Sequence, residues 1–243
     1  MLKAIPLNER LIFALDVDSL TETEYWLDLL GKKIRFYKVG LQLFLAEGIP
    51  AIEMVVNRGY NVMVDLKFFD IPETVSLAVR ALRKHSGITF ITVHGNEPIL
   101  QAAIRERGDA KILAVTVLTS FDASDLRAMG LTGNVEDLVY LRAKKAISIG
   151  CDGIVASGVE GKRVRADLGE QFVMVTPGIR VELDKSVAVD DQKRITSAYQ
   201  AIHNGADYVV VGRPIRNAND PLAVVNLLQQ QIVDAVNYNI GNG

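Results

Sequence analysis

The chain is poor in cysteine, and Cys151 is the only one among its 243 residues. A single cysteine excludes an intrachain disulfide and fits a reducing compartment. A basic excess is lacking too, because 27 lysines and arginines face 29 acidic residues and leave a formal charge of -2. The composition therefore gives no sign of a nucleic acid or an anionic membrane surface as a partner.

Long apolar runs and metal-ligand patterns are also lacking. No run approaches the ~20 residues that a membrane-spanning helix needs, and the N-terminal stretch does not have the layout of a signal peptide. We therefore expect a soluble, cytoplasmic protein. None of the histidines has a partner histidine at metal-ligand spacing, so we expect no metal site.

Eight short β-rich runs recur along the chain, with helical stretches between them. The runs occupy 11–17, 35–40, 61–67, 88–95, 111–119, 153–157, 172–178 and 207–213. The clearest helical stretches occupy 21–30, 73–85, 135–150, 191–205 and 221–236. Eight nearly continuous apolar strands that alternate with helices over this length are typical of a (β/α)8 barrel. We therefore predict a single-domain (β/α)8 TIM barrel over residues 1–243.

An open, doubly wound α/β sheet is the alternative fold. Such sheets usually carry a glycine-rich phosphate loop after the first strand. Here the first strand leads into LDVDSLTET, which has no glycine. The missing loop favours the barrel.

Charged residues cluster where the third predicted strand ends, in VMVDLKFFDIPETV over 62–75. Side chains alternate along a strand, so Asp65 and Lys67 should point to the same face. Asp70 follows three residues later, and Pro72 suits the start of a helix near Glu73. Buried charges must be paired to be tolerated, so this group is either a site or a structural ion pair.

Polar groups also follow most of the other predicted strands. They include Asp16, Asp18, Lys38, His94, Asn96, Thr119, Ser120, Ser157, Arg180 and Arg213. In a (β/α)8 barrel these strand ends share one mouth, where the chemistry takes place. The segments TPGIR and VVGRPI follow strands 7 and 8. Their glycines let a ligand approach backbone N–H groups, and their arginines can bind phosphate oxygens. Together they predict a phosphate site at these two loops. Surface salt bridges are the alternative role for these arginines.

At this point the motifs resemble those of a known family. DLKFFDIPET (65–74) is similar to the DxKxxDIPxT motif of the orotidine 5'-phosphate decarboxylases of bacterial type. The resemblance covers nearly the whole chain, because further segments occur in the family's order: ALDVD (14–18), KVG (38–40), AVTVLTS (114–120), VTPGIR (175–180), DQKRI (191–195) and VVGRPI (210–215). Two positions depart from it: Phe69 stands where histidine is common, and Gln42 where an acid is common.

The resemblance implies a reaction and its catalytic residues. The family removes CO2 from C6 of orotidine 5'-monophosphate to give uridine 5'-monophosphate, without a metal or other cofactor. Lys67 is then the proton donor to C6, and Asp65 lies near the departing carboxylate. Asp70 keeps Lys67 charged and, in a homodimer with shared active sites, reaches the partner's ribose with Thr74 beside it. Ile71 is implied as a further substrate-binding residue.

The remaining substrate contacts are also implied by the resemblance. They are Asp16 and Lys38 for the ribose hydroxyls and the charge network, Thr119 for the pyrimidine edge, Gln192 between base and phosphate, and Arg180, Gly212 and Arg213 for the phosphate. The segment between Arg180 and Gln192 resembles a loop that closes over the phosphate.

Three other functions stay open. A sugar-phosphate decarboxylase of the gulonate type shares Asp-x-Lys-x-x-Asp but needs magnesium; Ile71, Thr74 and Gln192 argue against it. A Schiff-base aldolase would use Lys38 or Lys67 as a nucleophile, which flanking carboxylates oppose by keeping the amine protonated. A non-catalytic phosphate-binding barrel would not need the Asp-Lys-Asp set.

Overall fold

Eight parallel strands close into a barrel in the order of the sequence. The structure is a computed structural model, and it describes residues 3–181 and 194–241. The strands are β1 Leu11–Leu15, β2 Phe36–Gly40, β3 Asn61–Phe68, β4 Ile88–His94, β5 Lys111–Val115, β6 Gly153–Val155, β7 Val173–Thr176 and β8 Tyr208–Val211. Strand β1 pairs with both β2 and β8, which closes the ring. The predicted (β/α)8 fold is confirmed.

Helices follow each strand on the outside of the barrel, and the last two come after β8. They are α1 Leu20–Leu30, α2 Leu41–Glu47, α3 Ile49–Asn57, α4 Pro72–Leu82, α5 Glu97–Glu106, α6 Ala123–Ala128, α7 Val135–Ser148, α8 Gly161–Leu168, α9 Ala198–His203, α10 Arg213–Arg216 and α11 Pro221–Gly241. Within the described residues, no helix is long and apolar enough to cross a membrane.

The helix predicted over 191–205 begins later than expected. Residues 191–193 lie outside the described residues, and 194–197 are not helical. Ser197 caps α9 by accepting a hydrogen bond from the Gln200 N–H, and Thr196 pairs with Ile179 in an isolated bridge. The cap and the bridge explain the error, since both hold the segment extended up to the first turn of α9.

Two apolar layers hold the fold together. Inside the barrel, residues such as Phe36, Met63 and Phe90 fill the centre. Between the strands and the helices, a second and larger cluster includes Leu27, Val79 and Leu228. The strands are buried on both faces, as their continuous apolar runs predict. This packing fixes where the carboxyl ends of the strands lie.

A buried ion cluster lies at the opposite, amino-terminal ends of the strands. Asp207 accepts hydrogen bonds from Lys3 Nζ at 2.6 Å, Arg165 Nη2 at 2.7 Å and the Met174 N–H at 2.9 Å. Buried Arg10 donates to the Asp207 carbonyl at 3.1 Å. These bonds join the first residues of the chain to the strands β7 and β8. A paired charge cluster at this end, away from the strand ends that carry the chemistry, serves the fold.

Candidate active site

Four charged side chains of alternating sign form a chain across the mouth of the barrel. Lys38 Nζ lies 3.0 Å from Asp16 Oδ1 and 3.6 Å from Asp65 Oδ2. Lys67 Nζ lies 2.8 Å from Asp65 Oδ1. The residues come from the ends of β1, β2 and β3, which are neighbours in the barrel. The mouth therefore presents an Asp-Lys-Asp-Lys network, in which each lysine faces a carboxylate.

Burial and neighbouring charges shift the pKa values of Asp65 and Lys38, the central pair of this network, in opposite directions. Burial alone would raise the pKa of Asp65, but Lys38, Lys67 and the Thr92 hydroxyl outweigh it, so the pKa lies below its usual value. Burial alone would lower the pKa of Lys38, but Asp65 and Asp16 outweigh it and the net shift is upward. Both groups therefore stay charged near neutral pH, although both are buried.

Thr92 is a member of the network that the sequence analysis missed. Its hydroxyl donates to Asp65 Oδ1 at 3.0 Å and accepts from the Lys67 N–H at 3.0 Å. The side chain is fully buried on β4. The only signal was a polar residue in the apolar run ITFITVH, which is common in strands and carries no motif. Thr92 orients the carboxylate and holds the backbone of the lysine at the same time.

Lys67 has an unusual backbone conformation. Its φ of 46° is the only positive value among the non-glycine residues that the structure describes. The pairing of β3 with β4 shifts register between Val64 and Phe68, and Lys67 lies within this irregularity. A bulky side chain rarely adopts this conformation, which costs of order 1–3 kcal/mol and is typical of functional positions. The predicted proximity of Asp65 and Lys67 is confirmed, but the bulge rather than simple alternation positions the lysine.

Glycine makes room for the buried ammonium of Lys38. A Cβ added at Gly40 would lie 2.8 Å from Lys38 Nζ, which is closer than real Cβ contacts allow. A Cβ at Gly212 would lie 3.3 Å from Asp16 Oδ2 and 3.2 Å from the Ala14 Cβ. Both glycines therefore permit the close approach of backbone and charged groups at the mouth.

A cavity of about 510 Å³ opens at this mouth. Most of the predicted site residues line it: Asp16, Lys38, Asp65, Lys67, Thr119, Arg180, Gly212 and Arg213. Its volume lies within the usual range for a small-molecule site. The charge network occupies one part of the cavity wall, and the arginines and glycine after β7 and β8 occupy another. Gln192, another predicted substrate contact, lies outside the described residues, as do residues 182–191 of the predicted closing loop over 181–191.

Three predicted residues are not part of the cavity wall that the described residues form. Asp70, Ile71 and Thr74 are exposed, Ile71 to 66%. The Asp70 carboxylate accepts a hydrogen bond from the Ile71 N–H at 2.6 Å, and no lysine or arginine among the described residues lies within 4.0 Å of it. The expectation that Asp70 joins Asp65 and Lys67 in one cluster is therefore wrong within the subunit. The turn before Pro72 directs Asp70 away from the strand end.

The two departures from the family pattern have local explanations. The Phe69 ring meets the His94 ring edge to face, with centroids 5.4 Å apart, and is 69% exposed. Gln42 donates from its amide to Asp18 Oδ1 at 2.6 Å, a bond that an acid at this position could not donate. Neither residue belongs to the charge network.

Neither a reactive thiol nor a metal-binding group is found among the described residues. Cys151 is buried, and burial raises the pKa of its thiol to about 12, so it is not an activated nucleophile. Across residues 3–181 and 194–241, no group of three or more His, Cys, Asp or Glu side chains is arranged to hold a metal ion.

With this geometry in place, comparison with known proteins assigns the family. The family model described as "Orotidine 5'-phosphate decarboxylase / HUMPS family" matches residues 9–228. The chain belongs to this family. The resemblance deduced from DLKFFDIPET and the other motifs is thus confirmed.

Individual relatives agree with the family model. The chain is 46% identical to the orotidine 5'-phosphate decarboxylase of Methylococcus capsulatus over 233 residues, which cover 96% of this chain and 95% of that protein. It is 44% identical to the enzyme of the same name from Rhodopseudomonas palustris, covering 95% of this chain and 97% of that one. The crystal structure of the Lactobacillus acidophilus orotidine 5'-phosphate decarboxylase matches with a TM-score of 0.78 and 33% identity, over 92% of this chain and 99% of that one.

Removing the Thr92 hydroxyl tests the electrostatics of the network. Because this hydroxyl donates to Asp65 and helps to lower its pKa, Thr92→Val should raise the Asp65 pKa towards its ordinary value while Lys38 and Lys67 still hold it below. NMR titration of the Asp65 carboxyl carbon measures the shift. Thr176→Val is the matched control, since Thr176 is also fully buried but its hydroxyl has no hydrogen-bond partner among the residues that the structure describes. An unchanged Asp65 pKa in Thr92→Val would contradict the assigned bond.

Proposed function

We propose that the protein is an orotidine 5'-phosphate decarboxylase, which converts orotidine 5'-monophosphate to uridine 5'-monophosphate and CO2 in pyrimidine biosynthesis. Membership of the family and the names of its relatives support this substrate. The observation that carries the proposal is the position of the Lys67 ammonium, which lines the cavity 2.8 Å from the Asp65 carboxylate. A fixed cation in a cavity can stabilise negative charge that develops on a substrate carbon.

We assign the proton transfer to Lys67. As CO2 leaves, the electron pair of the C6–carboxylate bond stays on C6, and the nearby ammonium stabilises it and then donates a proton to C6. The negative charge of Asp65 repels the carboxylate of the bound substrate and so destabilises the ground state. This repulsion disappears as CO2 departs. Lys38 and Thr92 keep Asp65 ionised and in place, which the lowered pKa of Asp65 supports.

The mechanism we propose uses no metal or organic cofactor. Asp65 is the central carboxylate of the site, and both of its oxygens already face a lysine, Oδ1 facing Lys67 and Oδ2 facing Lys38. A divalent cation at Asp65 would be repelled by two ammonium groups. The electrostatic stabilisation that a metal supplies elsewhere is therefore assigned to Lys67.

We assign the rest of the cavity to the rest of the substrate. Asp16 and Lys38 would bind the ribose hydroxyls, and Thr119 the pyrimidine edge. Arg180, Gly212 and Arg213 would bind the phosphate, since guanidinium forks and open backbone N–H groups suit its oxygens. Gln192 would bridge the base and the phosphate. Binding of the phosphate would supply free energy that orders the site around the substrate. Phosphate contacts would therefore raise turnover as well as affinity.

We propose that the active unit is a homodimer with shared active sites. The segment 69–74 is exposed throughout and presents two large apolar side chains, Phe69 at 69% and Ile71 at 66% exposure. Large apolar side chains exposed on one short segment suit an interface, which would cover them. In the dimer, Asp70, Ile71 and Thr74 would complete the ribose site of the partner, which explains why they are remote from the cavity of their own subunit.

Replacing Lys67 tests the assigned chemistry. Lys67→Ala removes both the stabilising cation and the proton donor, so kcat should fall by at least about 10⁴-fold. The loss of orotidine 5'-monophosphate absorbance measures turnover, with protein purified from a host that lacks its own decarboxylase. Lys111 is exposed at the first residue of β5, at the end away from the cavity mouth. The control Lys111→Ala should therefore leave kcat unchanged. Substantial activity in Lys67→Ala would refute the assignment.

Removal of metal ions separates this proposal from the gulonate-type decarboxylases. Turnover should be unchanged after dialysis against excess chelator, because the charge stabilisation comes from lysine. The same assay, with and without added magnesium, measures the effect. Activity that disappears with chelator and returns with magnesium would favour the metal-dependent reaction.

Mixing two inactive variants tests the shared site. If the sites are shared, each active site combines Lys67 of one subunit with Asp70 of the other. In a mixed dimer with shared sites, one site carries both lesions and the other carries neither, so some activity should return. Subunit exchange is followed by native mass spectrometry. A mixture that exchanges but stays inactive would show that Asp70 acts within its own subunit.

A further inference from the structure

Arg194 reaches from the chain after β7 to the loop that follows β5. Its Nη2 donates to the Val117 carbonyl at 3.0 Å and to the Leu118 carbonyl at 2.9 Å. Its backbone N–H donates to the Thr119 carbonyl at 3.2 Å. Strand β5 ends at Val115, so these three carbonyls lie beyond the hydrogen bonds that pair β5 with its neighbouring strands. One residue therefore holds three consecutive carbonyls at the edge of the cavity.

A buried acid fixes the guanidinium from the other side. Arg194 Nη1 forms an ion pair with Glu160 Oε1, and the two side chains are only 12% and 4% exposed. Glu160 follows β6, and Ser157, also after β6, donates from its hydroxyl to the Arg194 carbonyl at 3.4 Å. A buried ion pair with bonds to the backbone holds its geometry closely, since breaking it leaves an uncompensated charge.

The same short segment is bonded to the loop after β7. The Thr196 N–H donates to the Gly178 carbonyl at 3.2 Å, and the Arg180 N–H donates to the Thr196 carbonyl at 2.9 Å. Residues 194–196 thus join the loops that follow β5, β6 and β7. These loops carry Thr119 and Arg180, both of which line the cavity.

We propose that Arg194 is a positioning residue for the pyrimidine edge of the active site. It acts through the Val117 and Leu118 carbonyls, which set the place of Leu118 and Thr119 in the cavity wall, and Glu160 holds its guanidinium in the required orientation. This inference rests on the proposed function, because that function assigns the pyrimidine to this wall. A lysine could keep the charge but not the planar fork that reaches two carbonyls and a carboxylate together.

The chain offers a matched control at the other end of the barrel. Arg165 is also buried, with its side chain 11% exposed, and pairs with Asp207 Oδ2 at 2.7 Å. It also donates to the carbonyls of Gly205 at 2.8 Å and Phe172 at 3.0 Å. Changes at Arg165 thus remove a comparable buried arginine without touching the cavity.

The experiment compares Arg194→Lys and Arg194→Met with Arg165→Lys and Arg165→Met. Each variant is assayed well below its unfolding midpoint, measured by circular dichroism. We expect kcat/KM of both folded Arg194 variants to fall on the order of 10- to 100-fold, because a small displacement of substrate-binding groups lowers the rate by such factors. Arg194→Lys should unfold at a higher temperature than Arg194→Met, because it keeps the ion pair. The Arg165 variants should lose stability but retain wild-type kcat/KM.

Binding of two probes then distinguishes positioning from a general loss of structure. Calorimetry should show UMP affinity at least about tenfold weaker in Arg194→Lys, since the pyrimidine edge has moved. Affinity for ribose 5-phosphate, which lacks the base, should stay within about twofold of wild type. Should Arg194→Met not fold, Arg194→Lys decides the question.

Two results would overturn the inference. One is wild-type kcat/KM in the folded Arg194→Lys variant. The other is an equal loss of affinity for UMP and ribose 5-phosphate, which would indicate a general structural role. Failure of the proposed function is a separate outcome, because it would appear as absence of turnover by the unaltered protein.

Discussion

The carboxylate of Asp65, shared between two lysine ammoniums, is the interaction on which the rest of the site depends. Each of its oxygens faces one lysine, at 2.8 Å and 3.6 Å, and Thr92 donates a further hydrogen bond. A buried carboxylate is costly alone, and so is a buried ammonium. Together they keep each other ionised, as the lowered pKa of Asp65 and the raised pKa of Lys38 indicate. The barrel makes this possible by bringing three neighbouring strand ends to one point.

Two parts of the barrel mouth are ordered in different ways, one by strand pairing and the other by hydrogen bonds between loops. The charge network is built on β1 to β4, where regular strands and one register shift position the side chains. The opposite wall consists of loops after β5, β6 and β7, which have no ladder of their own. There, residues 194–196 and the buried pair of Arg194 and Glu160 supply the missing hydrogen bonds. The charge network on the strands thus faces loops that Arg194 bonds together.

Much of this arrangement could be predicted from the sequence, and the exceptions have physical reasons. Apolar runs and their helical spacers predicted all eight strands, and eight of the twelve site residues predicted from the motifs line the cavity. The positive φ of Lys67 could not be predicted, because only pairing with β4 creates the register shift. Thr92 carries no local pattern, and Arg194 lies in the DQKRI segment, which gives no sign of its contacts, since the partners of both residues are distant in sequence. The sequence groups Asp70 with Asp65 and Lys67, but in the structure its carboxylate accepts a hydrogen bond from the Ile71 N–H in the turn before Pro72.

The central claim is that the network is preorganised to stabilise negative charge at C6 of a bound pyrimidine nucleotide. It is tested most directly by the affinity of a UMP analogue that carries an ionised oxygen at C6, compared with UMP itself. The account predicts that the anionic analogue binds at least about 10²-fold more tightly, as transition-state analogues do, and that Lys67→Ala abolishes most of this difference. Equal affinity for the two ligands, or a preference that persists without Lys67, would contradict the account.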